Sequence, residues 1–190
     1  MKNILNVLVC LIVSFNVLAE SSREKDSHEH GAANVMLAME GEKLQLNFEV
    51  PSESLIGFEH FPKSQDQRWY FNEAIKTLLE PSKLFSIPAN AECLLVGIKV
   101  SQSLFSAEDE HGHDEKDEHG HDESDKSEIH SEFSSKYHWN CEHLDEIDSI
   151  ATQLMNIFPR IEEIRVRWIT KNNQGSIELE SKDDRIKGWK

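Results

Sequence analysis

Residues 109–125 read DEHGHDEKDEHGHDESD and contain no apolar side chain. Such a run cannot enter a hydrophobic core, because each buried charge would need a partner or would have to be neutralised. A core must therefore be assembled from the stretches before and after it, with the run left as a connection. The run is also a near-repeat: EHGHDEKD at 110–117 is followed at once by EHGHDESD at 118–125. Cys93 and Cys141 lie symmetrically about residue 117, the middle of the repeats. Two strands flanking the run would bring the cysteines together at the open end of their hairpin.

The flanks carry the required patterns. Val35, Leu37 and Met39 alternate, Glu40-Gly41-Glu42-Lys43 offers a turn, and Leu44, Leu46, Phe48 and Val50 alternate again, which predicts a β-hairpin. In residues 68–80, Phe71, Ala74, Ile75, Leu78 and Leu79 fall on one helical face, and Pro81 stops that helix. Cys93 to Val100 is an apolar, β-branched run, and Phe133, Ser135, Tyr137, Trp139 and Cys141 share one parity of a half-buried strand. Direct pairing of the cysteines sets Val96 against polar His138, which calls for a bulge or for Cys93 outside the ladder. Leu144, Ile147, Ile150, Ala151, Leu154, Ile157 and Phe158 suggest a second helix over 143–158, ended by Pro159. Ile164, Val166 and Trp168, a turn at 172–175, then Ile177 and Leu179 form a last hairpin, with Glu178 and Glu180 as partners for Arg165 and Arg167. The expected class is α+β: an antiparallel sheet of three hairpins with two helices in the order ββ-α-ββ-α-ββ, interrupted by a disordered His/Asp-rich insertion at 106–128.

The N-terminus has the form of a secretory signal peptide over 1–19, with Lys2, an apolar stretch from Ile4 to Leu18 and a small-x-small site at Val17-Leu18-Ala19. Residues 20–190 then form one exported domain with no second segment of membrane length. In an oxidising compartment the remaining pair, Cys93 and Cys141, is most simply a disulfide. Without residues 1–19 the chain has 19 Lys and Arg against 35 Asp and Glu, and residues 108–125 alone contribute a net −9. So acidic a chain attracts cations and repels nucleic acid and anionic lipid.

The repeats specify which cations. Residues two apart in an extended segment point the same way, so His111/His113 and His119/His121 each present two imidazoles. Together they supply the four nitrogen ligands of a tetrahedral zinc site. Gly112 and Gly120 leave room between them, and Asp114, Glu115, Asp122 and Glu123 can ligate or orient the rings. His28 and His30 form a third such pair. Calcium would need oxygen ligands alone, and a plain acidic linker has no use for paired histidines. Zn²⁺ is the leading metal, with copper and nickel chemically admissible. His60, His138 and His143 are further candidates on the body, each equally at home as an ordinary surface histidine. Catalytic signatures such as HExxH or GxSxG are missing from the sequence, so no enzyme is expected.

The stretches His28-Glu-His-Gly-Ala-Ala-Asn-Val35, Leu55-Ile-Gly-Phe-Glu-His-Phe-Pro62, Cys93 with Tyr137-His-Trp-Asn-Cys141, and Phe158-Pro159 leading into Ile164-Arg-Val-Arg-Trp168 resemble the ZrgA family of zinc-regulated periplasmic zinc-binding proteins. The resemblance spans about residues 28–189. It implies a periplasmic protein that binds zinc and assists its capture, buffering or hand-over beside an envelope zinc transporter. A non-catalytic envelope interaction module, with a regulatory or incidental metal loop, is the alternative.

Deleting residues 108–126 is expected to leave the melting temperature unchanged while removing most of the bound zinc, because the segment offers nothing to a core and hairpins tolerate altered connections. Calorimetric titration of the deleted chain checks this; full zinc stoichiometry would place the metal on the body instead.

Overall fold

The computed structural model describes residues 29–104 and 131–190. The expected leader at 1–19, His28 and the insertion at 106–128 with its four paired histidines lie outside them.

Alternation in the first stretch produces β1 (Ala32–Glu40) and β2 (Lys43–Pro51), antiparallel and in register with Val35 opposite Phe48 and Leu37 opposite Leu46. Gly41 closes the turn at φ 61°, a backbone region in which side chains beyond glycine are strained. β2 pairs on its other side with β5 (Glu132–Cys141), and β5 with β4 (Cys93–Gln102). The parity of residues 133–141 is realised, with Phe133, Ser135, Tyr137, Trp139 and Cys141 all buried. Cys93 stands directly opposite Cys141, and the register shifts between Leu95 and Gly97, so Val96 is the extra residue of a bulge. β7 (Glu163–Thr170) and β8 (Gln174–Leu179) complete a six-stranded sheet in the order β4-β5-β2-β1-β7-β8.

Mixed α+β character stands, but the arrangement differs from expectation in three respects. The sheet is not purely antiparallel, because β1 and β7 run parallel, with Val35 beside Val166 and Leu37 beside Trp168. Both strands carry the same two-residue period, and nothing in that period fixes which strand neighbours which, or in what direction.

The second difference is the segment 143–158, which is not a helix. It makes a 3₁₀ turn at Leu144–Glu146, strand β6 (Ser149–Thr152) and a single helical turn, Leu154–Ile157. Ile147, Ile150, Leu154 and Phe158 are all buried at helix-like spacing, yet Ile150 and Thr152 face inward as alternate strand residues. Trp189 Nε1 donates to the Ile147 carbonyl at 2.7 Å, satisfying an acceptor that a continuing helix would have used internally. β6 sits between β3 (Phe85–Ser86) and β9 (Arg185–Lys187) in a second, three-stranded sheet that the sequence reading missed. The described helices number four rather than two: α1 (Ser52–Ile56), α2 (Gln65–Leu78), α3 (Pro81–Leu84) and the Leu154–Ile157 turn, α4.

The third difference concerns Arg165. It lies opposite Glu178 in the ladder, but its guanidinium binds Glu163 and Glu29. Those two hydrogen-bonded carboxylates, Glu163 first, raise the guanidinium's pKa above its ordinary range.

One face of the six-stranded sheet carries the core. α2, entered through a Ser64–Gln67 capping box, lays Ala74 and Leu78 on that face. Phe71 meets Phe133 with ring centroids 5.6 Å apart, and Phe85 of the small sheet reaches Tyr137 at 5.9 Å. The Tyr137 hydroxyl donates to the Leu78 carbonyl at 2.7 Å, tying the end of α2 to the middle of β5.

Burial pushes the Tyr137 phenol up to about 12 from an ordinary 10.0. Because the folded value is the higher one, the stabilisation is complete below about pH 10 and is lost as pH rises through about 12. A displacement of that size corresponds to about 2–3 kcal/mol. Tyr137→Phe is expected to cost about 1–2 kcal/mol at neutral pH through the lost hydrogen bond, and to flatten the alkaline fall in stability, as read by urea unfolding from pH 8 to 12.

Candidate metal centre

Of the histidines singled out, His30, His60, His138 and His143 lie among the described residues. His30 lies in the turn before β1 and places Nε2 at 3.8 Å from Glu59 Oε1. His60 stacks on Phe58 and donates from Nδ1 to the Phe61 carbonyl at 2.9 Å, which leaves Nε2 as its lone-pair nitrogen. His138 projects from the open face of β5 between Gln45 and Gly97, whose missing side chain leaves space over the ring. Among the described residues, none of these three joins a group of three metal-ligating side chains; His143 does, with Glu92 and Glu142. His28, His111, His113, His119, His121, Asp114 and Asp122 lie outside the described residues.

The set is built by the strand ends. Cys93 begins β4 and Cys141 ends β5; a disulfide joins them, so the residue before one cysteine and the two after the other must leave the sheet side by side. Glu92 is at φ 50° and ψ 52°, the only described non-glycine residue with positive φ, at the end of the 3₁₀ turn Ala89–Ala91. Its carbonyl accepts from the Glu142 amide, and the Ala91 carbonyl accepts from the His143 amide at 3.1 Å. Asn90 Nδ2 donates to Glu146 Oε2 at 3.1 Å, linking the two turns beneath the site. One oxygen of each glutamate and one imidazole nitrogen then lie within 4.8 Å of one another, all on exposed side chains.

Two carboxylates and an imidazole are a donor set that zinc accepts. Bonds of about 2.0–2.2 Å at tetrahedral angles put neighbouring ligand atoms about 3.4 Å apart, so the three groups need only rotate inward. Exposure makes that movement cheap, since no packed neighbour has to yield. The two carboxylates repel one another until a cation lies between them. Three protein ligands leave at least one coordination position for water or for an incoming ligand.

Sequence reasoning reached His143 but missed both glutamates. Their signal was adjacency: Glu92 directly precedes one cysteine of the expected disulfide, and Glu142 with His143 directly follows the other. Residues bracketing a cross-link are neighbours in space whatever their separation along the chain. No pattern announced the left-handed backbone at Glu92, a conformation that Asn or Gly adopts more readily.

Residues 27–188 match the family described as ZrgA family zinc uptake protein. No curated protein matches the chain.

His143→Ala is expected to remove one equivalent of zinc from the calorimetric titration of the full chain, with melting unchanged. Cys93→Ser combined with Cys141→Ser keeps all three ligands but unclamps them. The double variant should bind that equivalent about ten- to a hundredfold more weakly, the range seen when a supporting partner of a ligand is lost, and should lose about 2–4 kcal/mol of stability.

Proposed function

The chain belongs to the ZrgA family of zinc uptake proteins, and from that premise we propose that it captures Zn²⁺ in the periplasm and hands it to an envelope zinc transporter, with no catalytic step of its own. The observation that carries this reading is the exposed Glu92–Glu142–His143 set. A structural zinc site is closed by four protein ligands; a set of three at the surface can accept a ligand from a receiver before releasing its own. The paired histidines at 28/30, 111/113 and 119/121 would extend the capture capacity, and the net charge of −15 draws cations toward the whole molecule.

The imidazoles set the preference. Calcium and magnesium favour shells made of oxygen, whereas a mixed nitrogen and oxygen set suits zinc. Protons compete with the metal for any ligating imidazole, so capture should weaken on mild acidification.

Zinc-loaded protein is expected to deliver its metal to a chromogenic chelator at a rate that rises with chelator concentration, because the receiver enters the open coordination position. Millimolar Ca²⁺ should not displace the zinc. Retention of zinc for hours against excess chelator would identify a permanent structural ion and refute the hand-over role.

A further inference from the structure

The two edges of the six-stranded sheet are unlike. β8 shows Gln174, Ser176 and Glu178 at its exposed edge, the polar blunting that keeps an edge from pairing. β4 shows the reverse: Leu94 is 72% exposed, Val96 59%, Leu95 42% and Ile98 37%. At the start of β4 runs a groove of about 790 Å³ whose lining sets Leu79, Phe85, Leu95 and Trp139 beside Glu92 and Glu142.

The backbone of this edge has a definite hydrogen-bonding phase. The Cys141 amide donates to Glu42, away from β4, and the Ser103 amide donates to Glu132. In an antiparallel ladder the bonded and non-bonded pairs alternate. Cys93 and Leu95 before the bulge, and Ile98 and Val100 after it, therefore turn their own N–H and C=O groups toward the edge, which no described strand pairs. The side chains of these four residues share the core-facing side, because their partners are Cys141, Trp139, Tyr137 and Ser135.

We propose that β4 is an interface with a second copy of this chain, the two strands pairing antiparallel about a two-fold axis between Val96 and Gly97. This register sets Leu95 opposite Ile98 of the copy and Cys93 opposite its Val100. It engages these four outward-facing backbone positions at once. The shift at Val96 moves that axis to a point between two residues, with Leu95 and Ile98 placed symmetrically about it. Leu95 and Ile98 of each copy then lie over the apolar part of the other's groove, about Leu79 and Phe85, and leave its glutamate margin open. On the opposite side of the sheet Leu94 lies against the stem of Lys99 from the copy, whose ammonium sits diagonally across from Glu92, within the reach of long side chains. The edge is thus self-complementary in hydrogen bonding, apolar surface and charge. An isologous pair of this kind closes the six-stranded sheet on itself and does not extend it, because the outer edges of the joined sheet are the polar β8 strands.

Sedimentation of the full chain under non-reducing conditions, with chelator present so that exposed metal ligands cannot bridge molecules, tests this. The expected result is a concentration-dependent species of twice the chain mass. Ile98→Lys should shift its dissociation at least a hundredfold, Lys99→Glu about tenfold, and Ser176→Lys, on the β8 edge, not at all. Each position is exposed, so the variants should melt like the parent. A monomer at every concentration would overturn the proposal and leave β4 to a partner of another kind. So would a dimer indifferent to Ile98→Lys, or one weakened equally by Ser176→Lys.

Discussion

The parallel contact between β1 and β7 is the interaction on which the remainder of the molecule hangs. It joins a strand beginning at Ala32 to one beginning at Glu163, with Val35 beside Val166 at the centre, both fully buried. With β2 on its other side, β1 has both of its edges satisfied, and each remaining strand is added outward from that seam. β8 attaches to β7; β5 and then β4 attach to β2. The apolar face so created is wide enough to need two covers, and α2 and the small β3-β6-β9 sheet supply them. The candidate metal centre inherits its position from this stacking, because the register of β5 on β2 fixes where Cys141 ends and hence where Glu142 and His143 emerge.

What could be read from the chain and what could not divide along the range of the forces involved. Residues 35–50 and 133–141 were legible because one face meets a core and the other meets water, and a strand writes that asymmetry at period two. The segment 143–158 misled because Ile147, Ile150, Leu154 and Phe158 fit a helical face while bent backbone was bringing them to the same core by another route. Its pairing with β3 and β9 is decided by residues more than thirty positions away, which no local period records. The parallel seam was hidden for the same reason. For the metal centre, the histidine was visible as a residue type, whereas Glu92 was one acidic residue among 35 until the disulfide gave it neighbours.

A tension runs between the two ends of β4. Its first residues are clamped by the disulfide and have a candidate ligand, Glu92, at their margin, while the strand beyond them keeps an apolar edge that a sheet would ordinarily bury or blunt. The Val96 bulge lies at the junction between these two regimes. It lets the cysteines face one another directly and restores the core-facing parity of Ile98 and Val100. A single extra residue thus reconciles the covalent link with the packing of Tyr137 and Ser135 beneath it.

The cross-link also imposes an order on maturation. Cys141 follows Cys93 by 48 positions, so Glu92 leaves the ribosome well before the other two ligands exist. Strand pairing must then bring the sulfurs together, and an oxidant must join them, before all three donors are fixed in one place. A chain whose cysteines are still reduced lacks that last step. On the proposed function, tight metal loading thus waits on oxidation of this one pair, because the disulfide is what holds the three donors together.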